Sequence, residues 1–544
     1  MKFQKFLMAT LTAMFAITMT TSVLTSCKAD DDNNEPAKEN QGDTDGNTDG
    51  DTATVPDYTI IYYGNGGGNV DHVVLDIIGQ FYKADSASYK NVNITVLYKF
   101  STPENMQKAG FSPEAAQEKG QKTFRFKVDP SKSYAEQFDD PENLLKADNY
   151  DIGCADSLAT YIKWAVEKAP AKKYVLILND HGGGFLPHDE LPETSNAGVK
   201  AGVTRCIMKD DGNNTHLTAK SLARGLKEAG VRFETVFMQA CLMNNLEYLF
   251  ELKDLCDYTI ASTYIMPGFD GRHDVLVNLL SKCQNEVEKS LQAYTDSCVA
   301  DWDQVYEQGG MEKMYHDLTV TRTNSLAAFG EELKVFTDKL CDAYDRGGEI
   351  AEKIDFCTNL AFKAQKNRPF YDIYRFLEMI FDVLKNYDVY DEAFKVRIKE
   401  AFRHCIAAQS YSKYIRDHGF NVNYSVLMGF EGNYTDIYWA TDEQTGMEYP
   451  TTMVVYEADG SISVWNCEKV DSEENRYKPV KIGYAENGWG GTLENTYKTL
   501  AFDKMVGWSR WMEKNKKIPG IFCLSDLHFE LPDPDTTEIP EVEK

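Results

Sequence analysis

The chain has 544 residues, of which 42% are hydrophobic and 12% are aromatic, and its formal net charge at pH 7 is −28. This length exceeds what one ordinary hydrophobic core needs, so we expect two domains or one elaborated domain. The large negative charge disfavours a nucleic-acid partner or an anionic membrane surface, because there is no excess of basic residues to displace counterions.

The first 26 residues have the composition of an export signal. Lys2 and Lys5 precede an apolar stretch over residues 7–24, which is typical of a secretory signal peptide and not of a stable membrane span. The stretch ends in Leu-Thr-Ser-Cys, which resembles the bacterial lipobox and implies cleavage before Cys27 and lipidation of its thiol. The alternative is a plain signal peptide followed by a chance cysteine.

Residues 28–32 resemble the surface-export signals of Bacteroidetes lipoproteins. This implies an outer-membrane lipoprotein that is held in the membrane through Cys27 and faces the cell surface, with a periplasm-facing anchor as the alternative. Residues 27–55 are rich in Asp, Asn, Gly and Thr, cannot bury enough apolar surface to fold, and are predicted to form a disordered tether. The proline-containing tail at 526–544 is also predicted to be disordered.

The chain contains 12 cysteines. Lipidation of Cys27 would leave an odd number, so at least one thiol stays unpaired within the chain. The spacings contain neither a CxxC pair nor a zinc pattern, so we expect no metal site of that kind. Most of these thiols are therefore predicted to be small buried apolar residues.

From residue 57 onward, short apolar runs alternate with helical patterns. This alternation predicts an α/β fold in which helices cover both faces of a mostly parallel sheet. The predicted strands are 58–63, 92–100, 123–128, 174–178, 234–238 and 257–263. The predicted helices are 73–84, 156–168, 217–229 and 242–255.

The pattern changes near residue 286. Long helical patterns dominate from there, so residues 286–525 are predicted to form a helix-rich C-terminal region with some strands. The predicted helices are 325–344, 371–385, 392–407 and 504–515, and the predicted strands are 422–428 and 453–456.

Two of the apolar runs end in residues that can react. Residues 174–184 end in Asn-Asp-His-Gly-Gly-Gly, and residues 234–243 contain Gln-Ala-Cys-Leu-Met. In parallel sheets, sites lie at the carboxyl ends of the strands, which is where His181 and Cys241 fall. A single cysteine at a strand end is usually structural, and a single histidine beside glycines is often a turn residue, but the two together indicate a nucleophile and its proton-transfer partner.

The predicted helix starting at Leu242 would place Cys241 at a helix N-terminus, where backbone N–H groups and the helix dipole favour a thiolate. His181 would supply a proton to the leaving amine. Asp180 would either fix the His181 ring or cap the turn. Gly182 would let a substrate approach the backbone closely, and its N–H with that of Cys241 would form an oxyanion hole.

These two blocks resemble clostripain-type cysteine peptidases, relatives of caspases, legumains and gingipains. Weaker similarities cover the opening strand at 58–63, the segments 261–264 and 267–271 after the cysteine, and a closing stretch at 501–508, so the resemblance covers most of residues 57–516. It implies a cysteine endopeptidase with a His181–Cys241 dyad on a caspase-like three-layer α/β/α sandwich, with the peptidase domain at 56–285. It also implies a protein or peptide substrate, and we expect a monomer.

The family cleaves after basic residues and commonly carries Asp two positions before the nucleophile, but this chain has Gln239 there. A neutral amide cannot pair with Arg or Lys as a carboxylate does, so basic specificity stays open. Asp270 is an acidic residue that could take over that role. Besides Gly182 and Gln239, the resemblance implies that Ser262, Thr263 and Asp270 are substrate-binding residues.

Three further alternatives stay open. The chain could be an inactive surface-exposed binding lipoprotein on the same scaffold, or a hydrolase of another acyl substrate. Some relatives mature by self-cleavage, and the polar loop over residues 186–214 holds Lys200, Arg205 and Lys209, although an ordinary surface loop is the preferred interpretation. No cofactor is expected to be required, but the Asp-Asp-Gly-Asn-Asn stretch at 210–214 is calcium-like in composition, without EF-hand spacing. The glycine-rich stretch at 64–68 lacks nucleotide-binding spacing and is interpreted as a turn.

Overall fold

The computed structural model describes residues 55–146, 150–185, 207–264, 266–268, 271–309, 316–363, 370–417, 427–429, 433–441, 448–457, 462–471, 476–484, 497–515 and 522–523. The predicted signal peptide, nearly all of the tether, the lipidation residue Cys27 and the tail at 526–544 lie outside these residues. Residues 56–544 form one compact unit.

The strands alternate with helices along most of the chain. In chain order the strands are β1 (Tyr58–Asn65), β2 (Val92–Lys99), β3 (Thr123–Lys127), β4 (Lys173–Asn179), β5 (Ile207–Asp210), β6 (Thr215–Leu217), β7 (Phe233–Gln239), β8 (Cys256–Ala261), β9 (Asp317–Arg322), β10 (Phe370–Asp372), β11 (Ile406–Tyr411), β12 (Leu427–Gly429), β13 (Asn433–Thr441), β14 (Glu448–Glu457), β15 (Ile462–Asp471), β16 (Arg476–Tyr484) and β17 (Phe522–Cys523).

The α-helices of the described residues are α1 (Asp71–Gln80), α2 (Pro103–Lys108), α3 (Pro113–Lys119), α4 (Tyr134–Asp139), α5 (Ala155–Lys168), α6 (Ala219–Ala229), α7 (Leu246–Leu252), α8 (His273–Leu280), α9 (Val287–Gln308), α10 (Leu326–Asp345), α11 (Gly348–Lys363), α12 (Ile373–Val383), α13 (Glu392–Cys405), α14 (Lys413–Asp417), α15 (Ala501–Val506) and α16 (Ser509–Lys514). In the part of the chain that the structure describes, none of these helices is both long enough and apolar enough to cross a membrane.

An eight-stranded sheet in the order β11-β9-β8-β7-β4-β1-β2-β3 organises the fold. The five strands from β8 to β2 are parallel, and β3, β9 and β11 each pair antiparallel to their neighbour. Every residue of β1, β2 and β7 is buried, as expected for strands that are covered on both faces.

Helices cover the two faces of this sheet. Helices α5, α6, α7 and α10 contribute to the hydrophobic core on one face, and α1, α8 and α9 contribute to the core on the other. The predicted three-layer α/β/α sandwich with a mostly parallel sheet is therefore confirmed. Six described cysteines are buried in these layers, in agreement with their interpretation as small apolar residues: Cys256, Cys283, Cys298, Cys341, Cys357 and Cys405.

The sheet does not end at the boundary predicted at residue 285. Strands β9 and β11 both come from later in the chain, and β9 pairs directly with β8. The region after residue 286 contains the expected long helices, and it also contains a five-stranded antiparallel sheet formed by β13 to β17. The helix predicted at 504–515 is two helices, because Gly507 ends α15 in the left-handed conformation with φ of 69°.

A buried ion pair fastens the β5–β6 hairpin to the sheet. Lys99 Nζ lies 2.7 Å from Asp210 Oδ2, and both side chains are fully buried. Lys99 also donates to the carbonyl oxygen of Tyr150 at 2.7 Å, and the Asp210 carboxylate accepts from the backbone N–H groups of Ile152 and Gly212, each at 3.0 Å. Because both charges are paired and hydrogen-bonded, removing one of them would leave the other as an uncompensated buried charge.

We expect Lys99→Met to lower the free energy of unfolding by about 3–5 kcal/mol, since Asp210 would lose its cation in the interior. The matched control is Lys172→Met, because Lys172 pairs with Asp57 at 2.8 Å while the two side chains are 64% and 47% exposed. We expect the control to cost less than about 1 kcal/mol. Urea unfolding followed by circular dichroism measures both values, and equal losses would contradict the interpretation.

Candidate active site

The tips of β4 and β7 bring the two reactive residues together. These strands pair in parallel, and their last matched residues are Asn179 and Gln239. His181 and Cys241 each lie two residues beyond this matched pair. Since parallel neighbours run about 4.8 Å apart, both residues leave the sheet at the same edge and side by side. Both side chains are partly buried.

Gly182 packs directly against the backbone of Cys241. A Cβ atom built on Gly182 would overlap the carbonyl oxygen of Cys241 and would lie only 2.8 Å from its backbone nitrogen. The missing side chain is thus required for the contact between the two strand tips, which is a different reason from the substrate approach expected from the sequence. The same contact brings the backbones of Gly182 and Cys241 close together. Their N–H groups are the two donors that were predicted to form an oxyanion hole.

The prediction that Cys241 begins a helix is wrong. Helix α7 begins at Leu246, and Asn245 caps it by accepting from the N–H of Tyr248 at 3.2 Å. Leu242 has a left-handed backbone with φ of 63°, and its N–H donates to the carbonyl oxygen of Tyr264 at 3.0 Å. The chain therefore makes a turn directly after Cys241, and the helix that follows begins five residues later, at Leu246.

The sulfur of Cys241 contacts the backbone of Met266 instead. The N–H of Met266 donates to Cys241 Sγ at 3.3 Å. A hydrogen bond donated to the sulfur favours its charged form, so this contact supports a thiolate. It comes from the segment that follows β8, and the residues around Cys241 gave no local signal for it.

Asn69 orients the imidazole of His181. Its amide oxygen Oδ1 lies 2.5 Å from His181 Nε2. Because an amide oxygen only accepts, this contact assigns the hydrogen to Nε2 and leaves Nδ1 as the basic nitrogen. Asn69 lies in the turn after β1, 112 positions before His181, and no pattern near it indicates its role.

The glycine-rich turn after β1 allows this contact. A Cβ atom on Gly67, which has φ of 55°, would overlap the carboxylate of Asp180 and lie 3.1 Å from His181 Cδ2. The interpretation of 64–68 as a turn is right only in part, because Gly64 and Asn65 end β1 and the turn follows them. The turn packs against His181.

Burial controls the charges around the histidine. Burial, with a smaller contribution from the Lys209 ammonium, lowers the pKa of His181 to about 4, so its ring is neutral at pH 7. Burial raises the pKa of Asp180 to about 8, although Asn65 Nδ2 and the N–H of Lys209 donate to its carboxyl at 3.0 and 2.5 Å. Asp180 is therefore mainly protonated at pH 7 and carries little charge. Its hydrogen bonds join the end of β1 to β5.

The candidate substrate-binding residues occupy buried positions. Gln239 is 5% exposed, and a Cβ atom on Gly271 would overlap its Nε2. Ser262 and Thr263 are fully buried at the end of β8, where the Ser262 hydroxyl and the Thr263 N–H donate to Asp317 Oδ1 at 3.0 and 2.8 Å. Asp270 lies outside the described residues. The side chains of the three described candidates, Gln239, Ser262 and Thr263, therefore present little surface to a substrate.

The two carboxylates in the stretch at 210–214 already contact protein groups. Asp210 is neutralised by Lys99, and Asp211 Oδ2 accepts from the N–H of Thr102 at 2.9 Å and from Asn105 Nδ2 at 2.7 Å. Calcium binding at this stretch therefore stays a prediction. Within the described ranges, no group of three or more His, Cys, Asp or Glu side chains could hold a metal ion.

We expect iodoacetamide to label Cys241 faster than Cys154 at pH 7. Both thiols are half-buried, but Cys241 accepts a hydrogen bond from Met266 and lies beside a neutral histidine, so it reaches the reactive thiolate more readily. Buried Cys256, whose pKa burial raises, should react last. Peptide mass spectrometry over a time course gives the three rates, and equal rates at Cys241 and Cys154 would contradict the expectation.

Comparisons with known proteins identify the family of this chain. The model of the clostripain family matches residues 85–474. No curated protein matches the chain. Similar solved structures include a secreted C11 cysteine protease of Bacteroides thetaiotaomicron called iotapain, at 15% identity over 66% of this chain and 88% of that chain with a TM-score of 0.46.

Two further structures are similar. One is a secreted C11 cysteine protease from Bacteroides thetaiotaomicron in complex with an irreversible peptide inhibitor, at 13% identity over 84% of this chain and 99% of that chain with a TM-score of 0.45. The other is an inactive zymogen C11 protease from Parabacteroides distasonis, at 14% identity over 83% and 98% with a TM-score of 0.43. The family match covers well over half of the residues, and the predicted resemblance is confirmed: the chain belongs to the clostripain family of cysteine peptidases.

Proposed function

We propose that Cys241 is the nucleophile of this cysteine peptidase and that His181 transfers the proton in an endopeptidase reaction. The strongest support is the register of β4 and β7, because each of the two residues follows a matched pair of strand residues by two positions. The Gly182–Cys241 backbone contact keeps the two tips together.

The neutral histidine defines the order of proton transfers. His181 Nδ1 takes the thiol proton as Cys241 Sγ attacks the scissile carbonyl carbon, and the imidazolium then gives that proton to the leaving amine. Asn69 holds Nε2–H throughout, so the ring keeps one orientation. The backbone N–H groups of Gly182 and Cys241 are the proposed donors to the oxyanion. Water, deprotonated by His181, hydrolyses the resulting thioester.

The residue preference of the enzyme is a separate proposal. Gln239 carries no charge and packs against Gly271, so it supplies no carboxylate to a basic side chain of the substrate. We infer that cleavage after Arg or Lys is not strongly favoured over cleavage after uncharged residues. The alternative function, a catalytically inactive binding lipoprotein, would leave the His181–Cys241 arrangement without a use.

We also propose that the enzyme is exported and anchored in the outer membrane through a lipid on Cys27, with its peptidase domain on the cell surface. The motif at residues 24–27 and the acidic residues that follow it support this location. Metabolic labelling with a fatty acid tests the anchor, because the label should appear in the wild type and be absent from Cys27→Ala. Protease accessibility on intact cells distinguishes a surface location from a periplasm-facing one.

We expect the wild type to cleave a peptide library internally and Cys241→Ala to lose roughly 10⁴–10⁶-fold in rate. Reporter peptides with Arg, Lys, Asp or uncharged residues before the cleaved bond should be hydrolysed at similar rates, because Gln239 offers no carboxylate. Cleavage that survives in Cys241→Ala would contradict the nucleophile assignment. A strong preference for Arg would contradict the inference about Gln239 and leave the nucleophile assignment intact.

The lowered pKa of His181 predicts the acid side of the rate profile. The neutral ring is the base, so activity should persist as the pH falls below the ordinary histidine value of 6.5 and should be lost near the folded value of about 4. Lys209→Met removes a cation that lowers this pKa and should move the acid limb to higher pH. Lys209→Arg keeps the cation and is the control. Plots of kcat/KM against pH give the pH at which activity is lost on the acid side. The same value for the Met and Arg variants would contradict the effect of the Lys209 charge.

A further inference from the structure

Asp317 is a buried carboxylate that holds the segment after β8. It is the first residue of β9 and is fully buried. Three donors meet at its Oδ1: the Ser262 hydroxyl at 3.0 Å, the Thr263 N–H at 2.8 Å and the Tyr264 N–H at 3.2 Å. One side-chain oxygen therefore fixes three consecutive residues.

The same three residues hold the turn that follows the nucleophile. The N–H of Leu242 donates to the Tyr264 carbonyl oxygen, and the N–H of Asn244 donates to the Ser262 carbonyl oxygen, each at 3.0 Å. The Asn244 side chain also donates to the Thr263 hydroxyl at 3.0 Å. The segment over 262–264 thus lies between Asp317 on one side and the turn over 242–244 on the other.

That turn is held in an unfavourable conformation. Leu242 has φ of 63°, which costs a residue other than glycine roughly 1–2 kcal/mol. Such a conformation persists only when the surrounding contacts determine it. The segment after β8 supplies these contacts, and it continues to Met266, whose N–H reaches the Cys241 sulfur at 3.3 Å.

We propose that Asp317 is a positioning residue for the nucleophile: its Oδ1 fixes the 262–264 segment, and this segment in turn fixes the Leu242 turn and the Met266 N–H on Cys241. The proposal rests on the proposed role of Cys241 as nucleophile. Asp317 does not contact Cys241, so it acts through the backbone of its neighbours. A charged carboxylate makes stronger hydrogen bonds than a neutral acceptor. Although burial raises the pKa of Asp317 to about 6, the carboxylate is mainly charged at pH 7.

Two substitutions at Asp317 separate positioning from general stability. Asp317→Ala removes the acceptor, so we expect kcat to fall roughly 100-fold with little change in KM, since a small misplacement of a reacting group costs about that much. Iodoacetamide labelling of Cys241 in the folded variant should slow down as well. Asp317→Asn keeps an oxygen acceptor in place of Oδ1 and should retain most of the activity and labelling.

The matched control is Thr321→Val. Thr321 is buried on the same strand, and its hydroxyl makes no hydrogen bond in the described structure, so we expect no change in kcat or labelling. A general loosening of the fold would raise the labelling rate of buried cysteines such as Cys256. A loss of positioning would instead lower the labelling rate of Cys241, so the two causes can be told apart.

Unchanged kcat and unchanged Cys241 labelling in Asp317→Ala would overturn the proposal, provided that wild-type Cys241 labels rapidly and Cys241→Ala is inactive. An active Cys241→Ala variant would instead overturn the proposed function. If Asp317→Ala does not fold, Ser262→Ala decides the question, because it removes one of the three donors and leaves the carboxylate in place. A fall in kcat without a change in KM supports the proposal, and wild-type kcat in Ser262→Ala overturns it.

Discussion

The in-register parallel pairing of β4 and β7 is the constraint on which the site depends. A shift of one residue would turn every side chain of one strand to the opposite face and would separate His181 from Cys241. Burial opposes such a shift, because every side chain of β7 and of the last five residues of β4 is packed in the interior and would have to repack. The close contact at Gly182 then sets the spacing of the tips.

Two ionisable groups at the site, His181 and Asp180, are mostly neutral at pH 7. His181 is neutral because burial and Lys209 lower its pKa, and Asp180 is mainly protonated because burial raises its pKa. In the proposed reaction, transfer of the thiol proton of Cys241 to His181 places a negative charge on the sulfur and a positive charge on the imidazole. Hydrogen bonds that already point at these atoms cost no reorganisation at that moment. Asn69 and Met266 provide such contacts from two separate segments of the chain.

The sequence was sufficient to predict the layered α/β fold, its mostly parallel sheet and the placement of His181 and Cys241 after strand ends, because these follow from local periodicity. It failed at the turn after Cys241. Leu242, Leu246 and Leu249 have helical spacing, but the left-handed conformation of Leu242 is imposed by contacts with the segment after β8. Such tertiary contacts have no local pattern.

The supporting residues could not be predicted for a related reason. Asn69 reaches His181 across 112 positions, and β9, which carries Asp317, joins the sheet only after the long helix α9. Strands that are separated by helices give no sign of which sheet they complete. The sequence showed that Gln239 departs from the family pattern, but only the structure shows that its side chain packs against Gly271.

A crystal structure with a peptide aldehyde bound covalently tests the central claim most directly. The account predicts a hemithioacetal on Cys241, with its oxygen about 2.7–3.1 Å from the N–H groups of Gly182 and Cys241. It also predicts that His181 Nδ1 faces the adduct while Nε2 stays on Asn69. An adduct on another residue, or a His181 ring turned away from the sulfur, would contradict it.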